Sequence, residues 1–191
     1  MKVYDDCINS AGAILFNGAN VICYSTGNDA IDSNYGRSGA ISVAGGTVIA
    51  FSQRGGAEMG IDCDNMSYVS LTGGTLIAGG GSQGGSSTTL SGSTIPSRGT
   101  TSAISFTEGA YYSIASPDGN VVTWRMPCSV NSSYTIFATD CVAKGTSCTL
   151  YQNAIAPTAE GINFLQTAED MPMIWRGNGD TTGTQKTTIV F

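Results

Sequence analysis

Three stretches of this chain carry one residue pattern, and a chain that repeats itself in this way has few folds open to it. Residues 13–24, 40–51 and 68–79 align with one another, Gly45-Gly46-Thr47-Val48-Ile49-Ala50 in the second matching Gly73-Gly74-Thr75-Leu76-Ile77-Ala78 in the third. A shorter shared block precedes each: Asp5-Asp6-Cys7-Ile8-Asn9-Ser10, Asn28-Asp29-Ala30-Ile31-Asp32-Ser33 and Glu58-Met59-Gly60-Ile61-Asp62-Cys63. The alternation has period two, which belongs to strands and not to helices. The glycine pairs mark a bend that needs positive φ or close backbone approach.

A repeat in the high twenties of residues fits one turn of a β-solenoid. Stacking the repeats sets Ile14, Ile41 and Val69 in one ladder, and Phe16, Val43 and Leu71 in a second. Val21, Val48 and Leu76 form a third, and Cys23, Ala50 and Ala78 a fourth; these four ladders make a continuous core. The opposite face carries Leu15/Ser42/Ser70 and Asn20/Thr47/Thr75, mostly polar as an outer face should be. Asn20, Thr47 and Thr75 are therefore candidate ligand contacts. Ile22, Ile49 and Ile77 also point outward and predict an apolar stripe, either covered by the C-terminal domain or kept for a partner. The expected fold is all-β: a short right-handed parallel β-helix of about three coils over 1–79, a Gly/Ser-rich connector over 80–100, and a small antiparallel β-domain over 101–191.

Acidic turns stack as well. Asn9, Asp32 and Asp62 share a ladder, and Asp6 and Asp29 another. Carboxylates about 4.8 Å apart on neighbouring strands repel by roughly 3 kcal/mol at an effective dielectric near 20. Protonation, backbone N–H donors, divergence into water or a cation must relieve this. The chain has no histidine, so a bound metal would be hard and oxygen-ligated, calcium before zinc. The candidate calcium ligands are Asp29, Asp32, Asp62 and Asp64. Asp is equally at home in turns for local reasons.

The net charge of −6, with no basic stripe, excludes nucleic acid and disfavours anionic membranes. No apolar run reaches membrane-spanning length, so no membrane insertion is expected. Met1-Lys2-Val3-Tyr4 does not read as a signal peptide, which suits a mature form, an excised fragment or a cytosolic protein. None of the six cysteines forms a C-x-x-C pair. A disulfide among Cys128, Cys141 and Cys148 and small buried thiols are both open readings.

Beyond the connector, residues 111–115 and 121–126 read as a hairpin about Pro117-Asp118-Gly119. Residues 134–138, 148–151 and 187–191 add strands to the same domain. Trp124 alternates with Val122 and Met126 and reads as core. Trp175, with Arg176 beside the polar Gly177-Asn178-Gly179-Asp180 loop, is either a sugar platform or a loop anchor.

The block at 29–34 with the Gly-Gly-Thr-Val-Ile-Ala and Gly-Gly-Thr-Leu-Ile-Ala segments resembles the bacterial carbohydrate-binding β-helix proteins. Residues 112–122, 133–137 and 148–151 continue the likeness, which spans about 5 to 155. The resemblance implies a pectate-lyase-like right-handed helix, secreted or at the cell surface, that binds polysaccharide with calcium. Family members usually carry more coils upstream; this chain starts inside a coil without a cap, and the expectation is a fragment or an open end that meets another chain or a second copy. A structural or adhesive protein assembling through that end or the isoleucine stripe is the alternative. A polysaccharide lyase is disfavoured, since Arg37 and Arg54 are the basic residues near the acidic turns.

Overall fold

The structure, a computed structural model, describes residues 1–82, 90–118, 120–153, 161–166, 172–178 and 183–191. The fold is all-β. In chain order the strands are β1 (Lys2–Val3), β2 (Ile8–Ser10), β3 (Ile14–Ser25), β4 (Ile31–Ser33), β5 (Ile41–Ser52), β6 (Ile61–Asp62), β7 (Val69–Gly80), β8 (Ser97–Thr100) and β9 (Ile104–Phe106). There follow β10 (Tyr111–Ala115), β11 (Asn120–Arg125), β12 (Val130–Ser132), β13 (Tyr134–Thr139), β14 (Ser147–Asn153), β15 (Gly161–Gln166), β16 (Pro172–Asn178) and β17 (Thr184–Val190). The chain divides into two compact units, one of Met1–Ser105 with Val130–Asp140, the other of Phe106–Ser129 with Cys141–Phe191.

In the first unit the three repeats lie side by side. β3, β5 and β7 pair in parallel, setting Ile14 beside Ile41 beside Val69, Phe16 beside Val43 beside Leu71, and Val21 beside Val48 beside Leu76. These ladders face one cluster that also takes Ile31, Ile61 and Ile136. The short blocks form a separate parallel sheet in the order β2-β4-β6. Burial is the driving force: Ile41, Val48, Val69 and Leu71 are at most 1% exposed, each such side chain contributing about 1.5–3 kcal/mol.

The bend in each long strand is a β-bulge, with register shifts between Phe16 and Ala19 and between Val43 and Thr47. Gly18, Gly46 and Gly74 all sit near φ +80° there. Space distinguishes them. A Cβ on Gly46 would collide with the Ala19 carbonyl oxygen, and one on Gly74 would lie 2.6 Å from the Gly46 oxygen, whereas nothing stands within 4 Å of one on Gly18.

Three expectations change. Tyr134–Thr139, expected in the C-terminal sheet, is β13 of the first unit and runs antiparallel to β7, with Phe137 opposite Ile77. Part of the expected connector is structural: β8 pairs with β13, Ser93 bridges to Leu71, and Leu90 is buried. The glycine-serine run at 83–89 lies outside the described residues. Finally, Ile22, Ile49 and Ile77 do not form an exposed stripe. They are 6%, 0% and 0% exposed, and the apolar row runs on into the equally buried Phe137. The long strands are buried on both faces over this stretch, as parallel strands commonly are.

The second unit is a sheet in the order β15-β16-β11-β10-β14-β17, with antiparallel neighbours throughout. The hairpin of β10 and β11 forms, pairing Tyr112 with Trp124. Trp124 is fully buried, its ring stacked 5.8 Å from that of Tyr112, and its Nε1–H donates to Met126 Sδ at 3.2 Å. No disulfide joins Cys128, Cys141 or Cys148.

Gly18 and Gly46, alike in φ but not in space, predict a graded result. Gly18→Ala should cost about 1–2 kcal/mol, the left-handed backbone penalty. Gly46→Ala adds a backbone collision and should cost about 3 kcal/mol or more. Urea unfolding of the two variants checks the order; equal losses would mean the bulges do not approach as closely as described.

Candidate functional site

The polar chemistry of the first unit gathers on and beside β2, β4 and β6. Register sets Asn9 beside Asp32 beside Asp62. Amides separate the acids. Asn9 Nδ2 donates to Asp6 Oδ2 at 2.6 Å and to Asp32 Oδ2 at 3.1 Å, and Asn34 Nδ2 donates to the same Asp32 oxygen at 2.8 Å. Asp62 Oδ1 accepts the Asp64 N–H at 3.0 Å, across a turn in which Asp64 takes φ +62°. Asp29 Oδ1 accepts the Met59 N–H at 2.5 Å. Asp29 and Asp62 are buried, Asp6 and Asp32 half-buried, and Asp64 and Asn34 exposed. Among the described residues Asp6 Oδ1 is buried without a hydrogen bond.

Two of these carboxyls hold protons more tightly than usual. Burial, with Asp62, Glu58 and Asp32 nearby, pushes Asp29 up to about 7 against the pull of the Met59 N–H. Asp32 is raised by burial and then by Asp62, with the Asn34 amide opposing. Donors and a raised proton affinity thus relieve the repulsion within the ladder.

Asp29, Asp32 and Asp62, three of the four expected calcium ligands, each accept an N–H on one carboxylate oxygen, and calcium takes six to eight oxygens. Among the described residues no three His, Cys, Asp or Glu side chains are grouped to hold a metal.

The polar ladder on the long strands is not a solvent face. Asn20 is half-buried, but Thr47 is 0% and Thr75 1% exposed, because the second face of the sheet is itself covered. Thr75 Oγ1 shares a 2.9 Å hydrogen bond with Thr139 Oγ1, and Thr47 Oγ1 has no hydrogen-bond partner among the described residues. Trp175 and Arg176 lie within β16, opposite Thr123 and Val122 of β11, and Gly177 and Asn178 of the expected loop belong to the same strand. Their side chains, and residues 179–180 of the expected loop, lie outside the described residues.

Sequence reasoning missed the turn after β4. There the Arg37 guanidinium stacks over the Tyr35 ring at 4.1 Å, next to exposed Asn34. The Asn-Tyr-Gly-Arg run carried the signal: a polar turn holding one aromatic and one cation. Arg54 is occupied elsewhere, its Nη1 donating to the Gly27 carbonyl at 2.9 Å.

Asp29 gives a pH test. Its folded value lies above its ordinary 3.8, so its stabilising contribution is whole below that value and is lost as pH rises through about 7. Asp29→Asn keeps an oxygen for Met59 and removes the charge. The variant should match the parent near pH 4 and exceed it at pH 8 by a few kcal/mol, on the order of 4 at most. Urea melts across that range check it, and a difference independent of pH would refute the assignment.

No family model, curated protein or solved structure matches this chain.

Proposed function

We propose that the chain is a non-catalytic, extracellular or cell-surface polysaccharide-binding protein, and that its first unit is a short right-handed parallel β-helix. The in-register parallel pairing of both β3-β5-β7 and β2-β4-β6 supports the helix reading, since two parallel sheets fed by one repeat require a crossover in every repeat, and such crossovers are right-handed. That no helix of the described residues is long and apolar enough to cross a membrane is compatible with this placement.

One observation carries the binding reading: the row of carboxylates and amides formed by Asn9, Asp32, Asn34 and Asp64 on and beside the β2-β4-β6 sheet. Carboxylate oxygens accept from sugar hydroxyls, and amides both donate and accept. The same acids repel uronates, so the favoured ligand is a neutral polysaccharide. The calcium-assisted form of the reading would favour an acidic polymer instead.

Affinity electrophoresis through gels holding cellulose derivatives, xylan or polygalacturonate, with calcium or with chelator, separates these forms. Retardation by a neutral polymer is expected in chelator, and Asp32→Ala should weaken it about tenfold or more through lost charge-assisted hydrogen bonds. Retardation by polygalacturonate with calcium alone would move the reading to the calcium form. Free migration in every gel would end it.

A second reading, assembly through the first repeat, has its own observation. Among the described residues the outer side of β3 is paired with β1 at Tyr24 and Ser25, and Leu15 on that strand is 64% exposed. Unpaired strand edges template further pairing. Light scattering should then show a dimer or larger species that Leu15→Lys returns to monomer; a monomeric parent protein would leave the reading without support.

A further inference from the structure

Cys7 and Cys23 take, in the first repeat, two positions that the later repeats give to the smallest residues. Cys7 corresponds to Ala30 and Gly60, and Cys23 to Ala50 and Ala78. The reason for small residues is steric. A Cβ on Gly60 would meet the Ala50 carbonyl oxygen and come within 2.6 Å of the Gly79 nitrogen. Tyr24 stands in the ladder of Phe51 and Gly79, so Cys7 makes toward Tyr24 the approach that Gly60 makes toward Gly79.

The thiol of Cys7 fills that approach. Its Sγ accepts the Tyr24 N–H at 3.1 Å and lies 3.2 Å from the Tyr24 carbonyl oxygen, to which it donates. The Tyr24 nitrogen is the one bonded to Cys23, so the Cys7 thiol lies against the peptide that joins Cys23 to Tyr24. Burial raises both thiols, Cys23 to about 12, which makes each attack slow. Access differs between them: Cys7 is half-buried and Cys23 is 0% exposed. No other repeat pairs two sulfurs in this way. Cys63 donates instead to the Asn65 carbonyl oxygen.

We propose that Cys7 and Cys23 form a modification site, a dithiol that a low-molecular-weight disulfide such as oxidised glutathione converts into an intramolecular disulfide closing the first repeat. Cys7, the accessible partner, attacks as thiolate and displaces one glutathione thiolate, which takes up the proton Cys7 released. Cys23 then loses its proton and attacks Cys7 Sγ, expelling the second glutathione, which is protonated in turn. Two protein thiols become one disulfide, and one glutathione disulfide becomes two thiols. The bond closes the repeat whose long strand has the least strand pairing, and it forms where the thiol pool is oxidising. The proposal is independent of any glycan ligand.

The full chain is incubated with oxidised glutathione, denatured, alkylated and digested for mass spectrometry. The peptides holding Cys7 and Cys23 should appear joined, with an intact mass lower by about 2 Da and the other four cysteines alkylated. The melting temperature should rise by about 5 °C or more, and the rise should vanish in Cys7→Ala and Cys23→Ala. Alanine stands at both positions in the second repeat, so these variants retain the fold, checked by circular dichroism. A glutathione cap on Cys7 without the internal bond would overturn the proposal. So would bridges confined to Cys128, Cys141 and Cys148, or a Cys7 and Cys23 that both remain alkylatable.

Discussion

Parallel hydrogen bonding in register, β3 to β5 to β7, is the constraint from which the rest of the first unit follows. Such pairing sets each residue directly beside its counterpart in the next repeat, so each position is chosen for its ability to neighbour its own kind. Apolar positions meet that demand easily: Ile14, Ile41 and Val69 pack as a row, and each row adds to one core. Glycine meets it where the strand must bulge, since Gly74 and Gly46 approach so closely that no Cβ fits between them. Charge meets it badly, because like charges stack on like.

The short sheet shows how a repeating chain handles that difficulty. The ladder through Asp32 does not continue as three aspartates; its first member is Asn9, which donates to Asp6 and Asp32 together. One amide thereby serves two carboxylates from different repeats. Asp62 turns to its own Asp64 N–H, and Asp29 reaches forward to the Met59 N–H of the following repeat. The cost left over appears as proton affinity. Asp29, buried and facing other acids, is the group raised to about 7. Amide and backbone N–H donors on Asp6, Asp29, Asp32 and Asp62 are one source of relief for the stacked acids.

The ladders were legible in the sequence because strand period and repeat length are both local patterns, and together they fix which residues neighbour which. Which face meets water was not legible. Alternation separates Thr47 and Ile49 from Val48 and Ala50, yet says nothing of whether the second face is covered. Thr47 and Thr75 are therefore expected on an outer face and are buried; the isoleucine row is open between a covered and a partner-facing reading, and its burial decides it. Tyr134–Thr139 failed for a different reason. Its partner β7 lies far back in the chain, and an antiparallel strand added to the side of a repeat array carries no trace of the repeat. Cys7 and Cys23 were each visible, but their meeting depends on the turn that brings the short block back against the long strand, and spacing does not encode that.

The two sides of the array end differently, and chemistry explains why. Beyond β7 the direction of the chain reverses: β13 pairs antiparallel, and side chains at its ends complete what the backbone leaves open. Asp140 Oδ2 accepts the Gly74 N–H at 2.7 Å, and Ser132 Oγ accepts the Gly80 N–H at 2.9 Å, one at each end of the paired stretch. A parallel fourth repeat would have bonded those groups itself, so a strand of opposite direction needs these side chains to do so. Between them Thr139 bonds Thr75 and Phe137 extends the isoleucine row, which leaves β7 satisfied by residues that follow no repeat rule. On the β3 side the described hydrogen bonding to the N-terminal segment is confined to Ile22 through Thr26, and the side chains of Leu15, Asn17 and Asn20 before it are not bonded to a strand beyond among the described residues. The β7 side is thus closed within the chain by β13, with β8 as the next strand, whereas much of β3 has no strand partner on its outer side among the described residues.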